Sequence, residues 1–175
     1  MNWKELLKDE IEYNYMVADQ IMGLVDENTF DWKPATGKNW MTSGQVLMHM
    51  TTACGTTFKG FITGDWGMPE GMDVNDMKPE DMLPPAESLP TTNDVAAARA
   101  ALAEDKKLAL QMLAEVSEDD LHNKPAPAPW DPRPVKLGYR LLGMVNHLGA
   151  HKDQLFYYLK LQGKPVNTMT KWGMG

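Results

Sequence analysis

Apolar residues recur at helical rather than strand spacing in four separate segments of the chain. Between about Asn2 and Asp26, Trp3, Leu6, Tyr13, Val17, Ile21 and Leu24 step by three, four or seven and form one stripe, on which Glu10 also falls. A second helix is expected from Thr42, whose spacing to Gln45 is that of a capping box, to Gly64. Val46, Met50, Ala53, Thr57 and Phe61 form its apolar side. A third helix begins at Thr92-Asn93-Asp94 and carries Val95, Leu102, Ala109 and Val116 at a seven-residue step, with Ala98 and Met112 between them and Asp105 interrupting the stripe. The fourth runs from about Lys136 to Gln162 on Leu137, Leu141, Met144, Leu148, Leu155 and Leu159, with Gly163 and Pro165 as stop signals.

Three long connections separate these segments. Residues 28–40 contain Pro34 and Gly37 and read as a loop. Gly64–Thr92 holds Pro69, Pro79, Pro84, Pro85 and Pro90 and no period. A connection of that length in a compact domain is often functional, and two roles stay open for it: closing over a pocket, or joining a dimer interface. The stretch from Asn123 to Val135 has prolines at 125, 127, 129, 132 and 134 and must be extended. Four long helices with no strand indicate an all-α four-helix bundle, and residues 1–175 read as a single domain without internal repeat.

Charge narrows the partners. Seventeen Lys and Arg against 24 Asp and Glu give a net charge of −7. With no Lys/Arg cluster to displace counterions from phosphates, nucleic acid is set aside. The single cysteine, Cys54, allows no intramolecular disulfide and fits a reducing compartment. No uninterrupted apolar run opens the chain, and the uncharged stretch Trp40–Phe58 is too rich in Thr, Ser, Gln and His to span a bilayer. The expectation is a soluble, cytoplasmic chain without a membrane or nucleic-acid partner.

The candidate chemistry lies in three of the four histidines. His147 and His151 are four residues apart, which sets them about 40° apart, one turn along the same helix face. His151 sits on the Leu141-Met144-Leu148-Leu155 stripe and His147 at its edge, while His49 points to the core side of the second helix. Three core-side imidazoles each need a polar partner, and one divalent metal would satisfy all three. The alternative is three core-edge histidines bonded to carbonyls. The order excludes a zincin, because Leu148 follows His147 where H-E-x-x-H requires glutamate. It also lacks the E-x-x-H pair of di-iron bundles. Asp153, the helix's only carboxylate, lies about 200° from His151. Gln154, seven residues after His147, shares that face and can orient a ligand from behind. Gly143 and Gly149 are candidates for close helix approach, and Met41, Met48, Met50, Met144 and Met169 for core filling or an adaptable pocket. Cys54 reads as a small packed residue and His122 as a surface residue in a loop.

At these residues the sequence resembles the DinB-like superfamily of damage-inducible, YfiT-like metalloenzymes. Trp40–His49 is similar to that family's Trp–Ser–(five residues)–His second helix. His147-Leu148-Gly149-Ala150-His151-Lys152-Asp153-Gln154 is similar to its H-x-x-x-H-R-G-Q motif, with Lys152 and Asp153 standing where Arg and Gly are usual. Leu161–Val166 is similar to its L-x-G-x-P ending. The resemblance implies a bundle of up-down-down-up connectivity that forms a homodimer. It also implies a divalent metal, zinc or nickel, held by His49, His147 and His151. Characterised members include thiol-dependent S-transferases and a mycothiol-dependent isomerase. The expected activity is therefore transfer of a low-molecular-weight thiol to a small-molecule electrophile. Metal-dependent hydrolysis and a non-catalytic, metal- or ligand-binding stress role are the alternatives.

Overall fold

A capping box starts the first helix, α1 (Trp3–Met22): the Asn2 side chain accepts from the Glu5 N–H and the Glu5 carboxylate accepts from the Asn2 N–H. The computed structural model describes residues 2–68, 71–72, 74, 77–78 and 82–174. Helix α1 buries Leu7, Ile11, Tyr15, Val17, Ala18, Ile21 and Met22, a wider face than the expected stripe, because two long helices pack against it. The helix ends at Gly23, so Leu24 falls outside it and is exposed.

The second expected helix is in fact two, α2 (Ser43–Met50) and α3 (Gly55–Thr63), separated by a break at Thr51–Cys54. The Thr42/Gln45 capping box is present at the start of α2, and Gly64, at φ +80, ends α3. The third, α4 (Val95–Glu115), is capped by the Asp94 side chain on the Ala97 N–H. A short helix, α5 (Glu118–Asn123), follows. His122 lies on α5 rather than in a loop. It is exposed, with Glu118 beside it at 3.3 Å. The fourth long helix, α6 (Leu137–Leu161), closes through Gly163 at φ +83 with the Lys164 N–H on the Leu159 carbonyl. A last turn, α7 (Thr168–Lys171), follows.

Helix α1 packs on α4 and α6, α3 packs on α4, and α2 packs on α6, so the broken α2–α3 rod completes an all-α bundle. Leu7, Ile11, Leu47, Met50, Leu102, Leu141, Leu148 and Leu155 lie in its core. Among the described residues there is no strand, only two isolated bridges within 125–136. Among the described helices none is long and apolar enough to cross a membrane.

Two connections dock onto this frame. The buried Arg140 of α6 donates to the Ala126 and Arg133 carbonyls and to the Asp131 carboxylate, which fixes the proline-rich 125–136 segment. The end of the Gly64–Thr92 connection is held by Gln45, whose Nε2 donates to the Leu89 carbonyl at 2.8 Å, and by Asn39, whose Oδ1 accepts from the Ala86 N–H at 2.7 Å. Pro69 and Pro79, two of the prolines that mark this connection in the sequence, lie outside the described residues.

Candidate metal centre

The last turn of α2 and the middle of α6 bring three imidazoles together. His147 Nε2 lies 3.1 Å from His49 Nε2 and 3.0 Å from His151 Nε2. The rings meet edge to face, with centroids 4.4–5.0 Å apart. The three sequence candidates are thus one cluster, each offering one ligand atom within 4.8 Å of the others. It could hold a metal ion.

The direction of the surrounding hydrogen bonds follows from a carbonyl that can only accept. Tyr158 Oη donates to the Met41 carbonyl at 2.9 Å, so the lone pair on Oη is left to accept from Gln154 Nε2 at 2.9 Å. That turns Gln154 Oε1 toward His151 Nδ1, also at 2.9 Å, and the ring must carry its proton on Nδ1. His147 Nδ1 faces the Ala53 carbonyl at 3.3 Å and must carry its proton there too. The Nε2 atoms of His147 and His151 are therefore both lone-pair acceptors, aimed at each other across 3.0 Å. Two neutral acceptors at that distance repel weakly, and a cation held between them would turn both lone pairs to attraction. This chemistry fits a divalent ion bound by neutral imidazoles.

Burial keeps the imidazoles neutral. It pushes the His49 ring down to about 4, with the neighbouring His151 and His147 adding to the shift. Burial lowers His147 as well, against the opposing bond to Ala53. It also lowers His151, against the bond to Gln154.

The cluster opens onto a cavity of about 530 Å³. Its walls are mainly apolar, including Met41, Leu83, Leu89, Trp130 and Met144, and the hydroxyl-bearing Thr52 and Thr57 also line it. The Leu83–Leu89 wall comes from the end of the Gly64–Thr92 connection, and Trp130 comes from the proline-rich segment.

The sequence model of the DinB superfamily matches residues 10–155. The chain belongs to the DinB superfamily. No match was found among curated proteins or among solved structures.

In this DinB-superfamily chain the helix glycines divide. A Cβ on Gly149 would lie 2.9 Å from Asn14 Oδ1 of α1, so that glycine does allow close approach, whereas Gly143 faces open space. The methionines divide as well. Met41 and Met144 line the cavity, Met50 is core, and Met169 is exposed on α7. Cys54 is fully buried and burial pushes its thiol far up, so it is a packed residue rather than a reactive one. Glu10 accepts from Asn14 Nδ2 on its own helix. Asp153 pairs with Lys152 and Lys171. Three participants were not visible in the sequence. Tyr158 is an apolar-looking helix position, Trp130 sits in a run of prolines, and the Ala53 carbonyl is a backbone group exposed by the break between α2 and α3.

Proposed function

We propose that this chain binds one divalent ion, zinc or nickel, through Nε2 of His49, His147 and His151, and transfers a low-molecular-weight thiol to a small apolar electrophile. The observation that carries the reading is the pair of lone-pair-bearing Nε2 atoms held 3.0 Å apart at the floor of an apolar cavity. A bound divalent ion supplies Lewis acidity, which keeps a thiol ionised at neutral pH. The chain's own residues do the rest. Gln154, itself oriented by Tyr158, fixes the His151 ring, and the Ala53 carbonyl fixes His147. Met41, Leu83, Leu89, Trp130 and Met144 take up the apolar body of the electrophile and exclude water from the reacting atoms. Thr52 and Thr57 bring hydroxyl-bearing side chains to the same lining. Thiol transfer is preferred over hydrolysis by analogy with the thiol-dependent members of the superfamily.

Elemental analysis of untagged protein, with His49→Ala and His147→Ala beside it, tests the site. About one zinc or nickel per chain in the wild type and a large loss in both variants is the expected result. Absence of metal after reconstitution with zinc, nickel and manganese would overturn it. The loaded protein is then screened with thiol–electrophile pairs. Turnover without thiol would assign a hydrolase instead, and binding without any turnover a ligand-binding role.

A further inference from the structure

The break between α2 and α3 is met by a side chain from α4. Asp105 of α4 is buried, and four donors converge on its carboxylate. Oδ2 accepts from Tyr15 Oη at 2.7 Å and from the Gly55 N–H at 2.9 Å. Oδ1 accepts from the Thr56 N–H at 2.8 Å and from Thr56 Oγ1 at 3.0 Å. Gly55 and Thr56 open α3, so the carboxylate satisfies two amides that a helix start leaves without partners. Gly55 permits this approach, since a Cβ there would collide with the Asp105 backbone carbonyl. The cap sets where α3 begins, and hence where the 51–54 break falls. The break turns the Ala53 carbonyl toward His147 Nδ1.

We infer that Asp105 is a positioning residue for His147: by capping α3 it fixes the break that aims the Ala53 carbonyl, and so holds the His147 ring with Nε2 toward the cluster. The role rests on His147 being a metal ligand, but its first consequence, the fixed position of the ring proton, is present without metal. Asp105→Asn is the discriminating substitution. Each carboxylate oxygen takes a backbone N–H, so either orientation of an amide sets an NH2 group against one of them.

The test reads the imidazole nitrogens of the full-length, metal-free chain by ¹⁵N NMR at about pH 8, where imidazoles are neutral. Zinc affinity follows by chelator competition. In the wild type His147 and His151 are both fixed as Nδ1–H. In D105N, His147 averages between tautomers, His151 stays fixed by Gln154, and zinc affinity falls roughly 10–100-fold. A folded D105N with an unchanged His147 overturns the proposal, as does loss of both rings together, which would mark a general structural defect. If His147 moves in D105N but the wild type binds no zinc or nickel, the metal reading fails and the positioning of His147 stands. If D105N does not fold, Tyr15→Phe, which removes one donor from the carboxylate, carries the same comparison. A smaller shift confined to His147 is then expected, and no shift overturns the proposal.

Discussion

At His151 the useful property of the site is made by groups outside the histidine cluster. The Met41 carbonyl dictates the Tyr158 hydroxyl, the hydroxyl dictates the Gln154 amide, and the amide dictates which ring nitrogen keeps its proton. Outer partners of this kind typically carry tenfold to a hundredfold in metal affinity. Gln154→Ala is therefore expected to weaken zinc binding by about 10–100-fold with helical content unchanged, measured by chelator competition. Tyr158→Phe removes the middle of the relay but leaves Gln154 beside the ring, so its loss should be smaller than that of Q154A. Equal affinity of Q154A and wild type would show that the ring is held by packing alone. His147, His151 and Gln154 were readable because helical phase places them on one face of α6, and His49 because it lies on the core side of its own helix. Tyr158 was not, because its role depends on a carbonyl from residue 41, and no period in the sequence links the two.

Among the helical elements, the sequence pattern marked where apolar faces lie but not where the backbone must break. Residues 42–64 keep an apolar side throughout, and the capping box and terminal glycine frame them as one rod. The break follows from Asp105, on another helix, which read in the sequence as an interruption of an apolar stripe. Glycines show the same limit, since their neighbours decide their meaning. At Gly55 an added Cβ meets the backbone of α4, while at Gly143 it meets nothing. Gly55→Ala is expected to destabilise by about 1–3 kcal/mol through overpacking. Gly143→Ala is expected to stabilise by roughly 0.5–1 kcal/mol, because alanine is the better helix former. Thermal unfolding of the two variants should move in opposite directions, and a common direction would mean that helix propensity, not the α3–α4 approach, governs both sites.

Across the whole molecule, the cavity wall depends on one carboxylate that ties a proline-rich segment to the bundle. Asp131 accepts from Arg133 and from the buried Arg140, and Arg140 also holds the Ala126 and Arg133 carbonyls and lies over the Phe61 ring. Trp130, the adjacent residue, packs against Phe61 and Trp66 and lines the cavity. The Arg133 bond, with Arg140 beside it, holds the Asp131 carboxyl well below the usual carboxylate range. In an unfolded chain that carboxyl titrates near pH ~3.9. The folded value lies below the unfolded one, so the unfolded state binds the proton first as pH falls. The stabilisation from Asp131 is thus complete above the unfolded value and is lost as pH drops through it toward the folded value. Asp131→Asn removes that dependence. The melting temperature of the metal-free wild type should exceed that of D131N by a constant margin from about pH 7 to pH 5, and the margin should shrink below about pH 4. Ligand binding in the cavity should weaken in D131N at neutral pH, since Trp130 loses its anchored neighbour. A margin that stays constant down to pH 3 would place the anchor in the Arg140 contacts with the carbonyls and the Phe61 ring, and would free Asp131 of any part in shaping the wall.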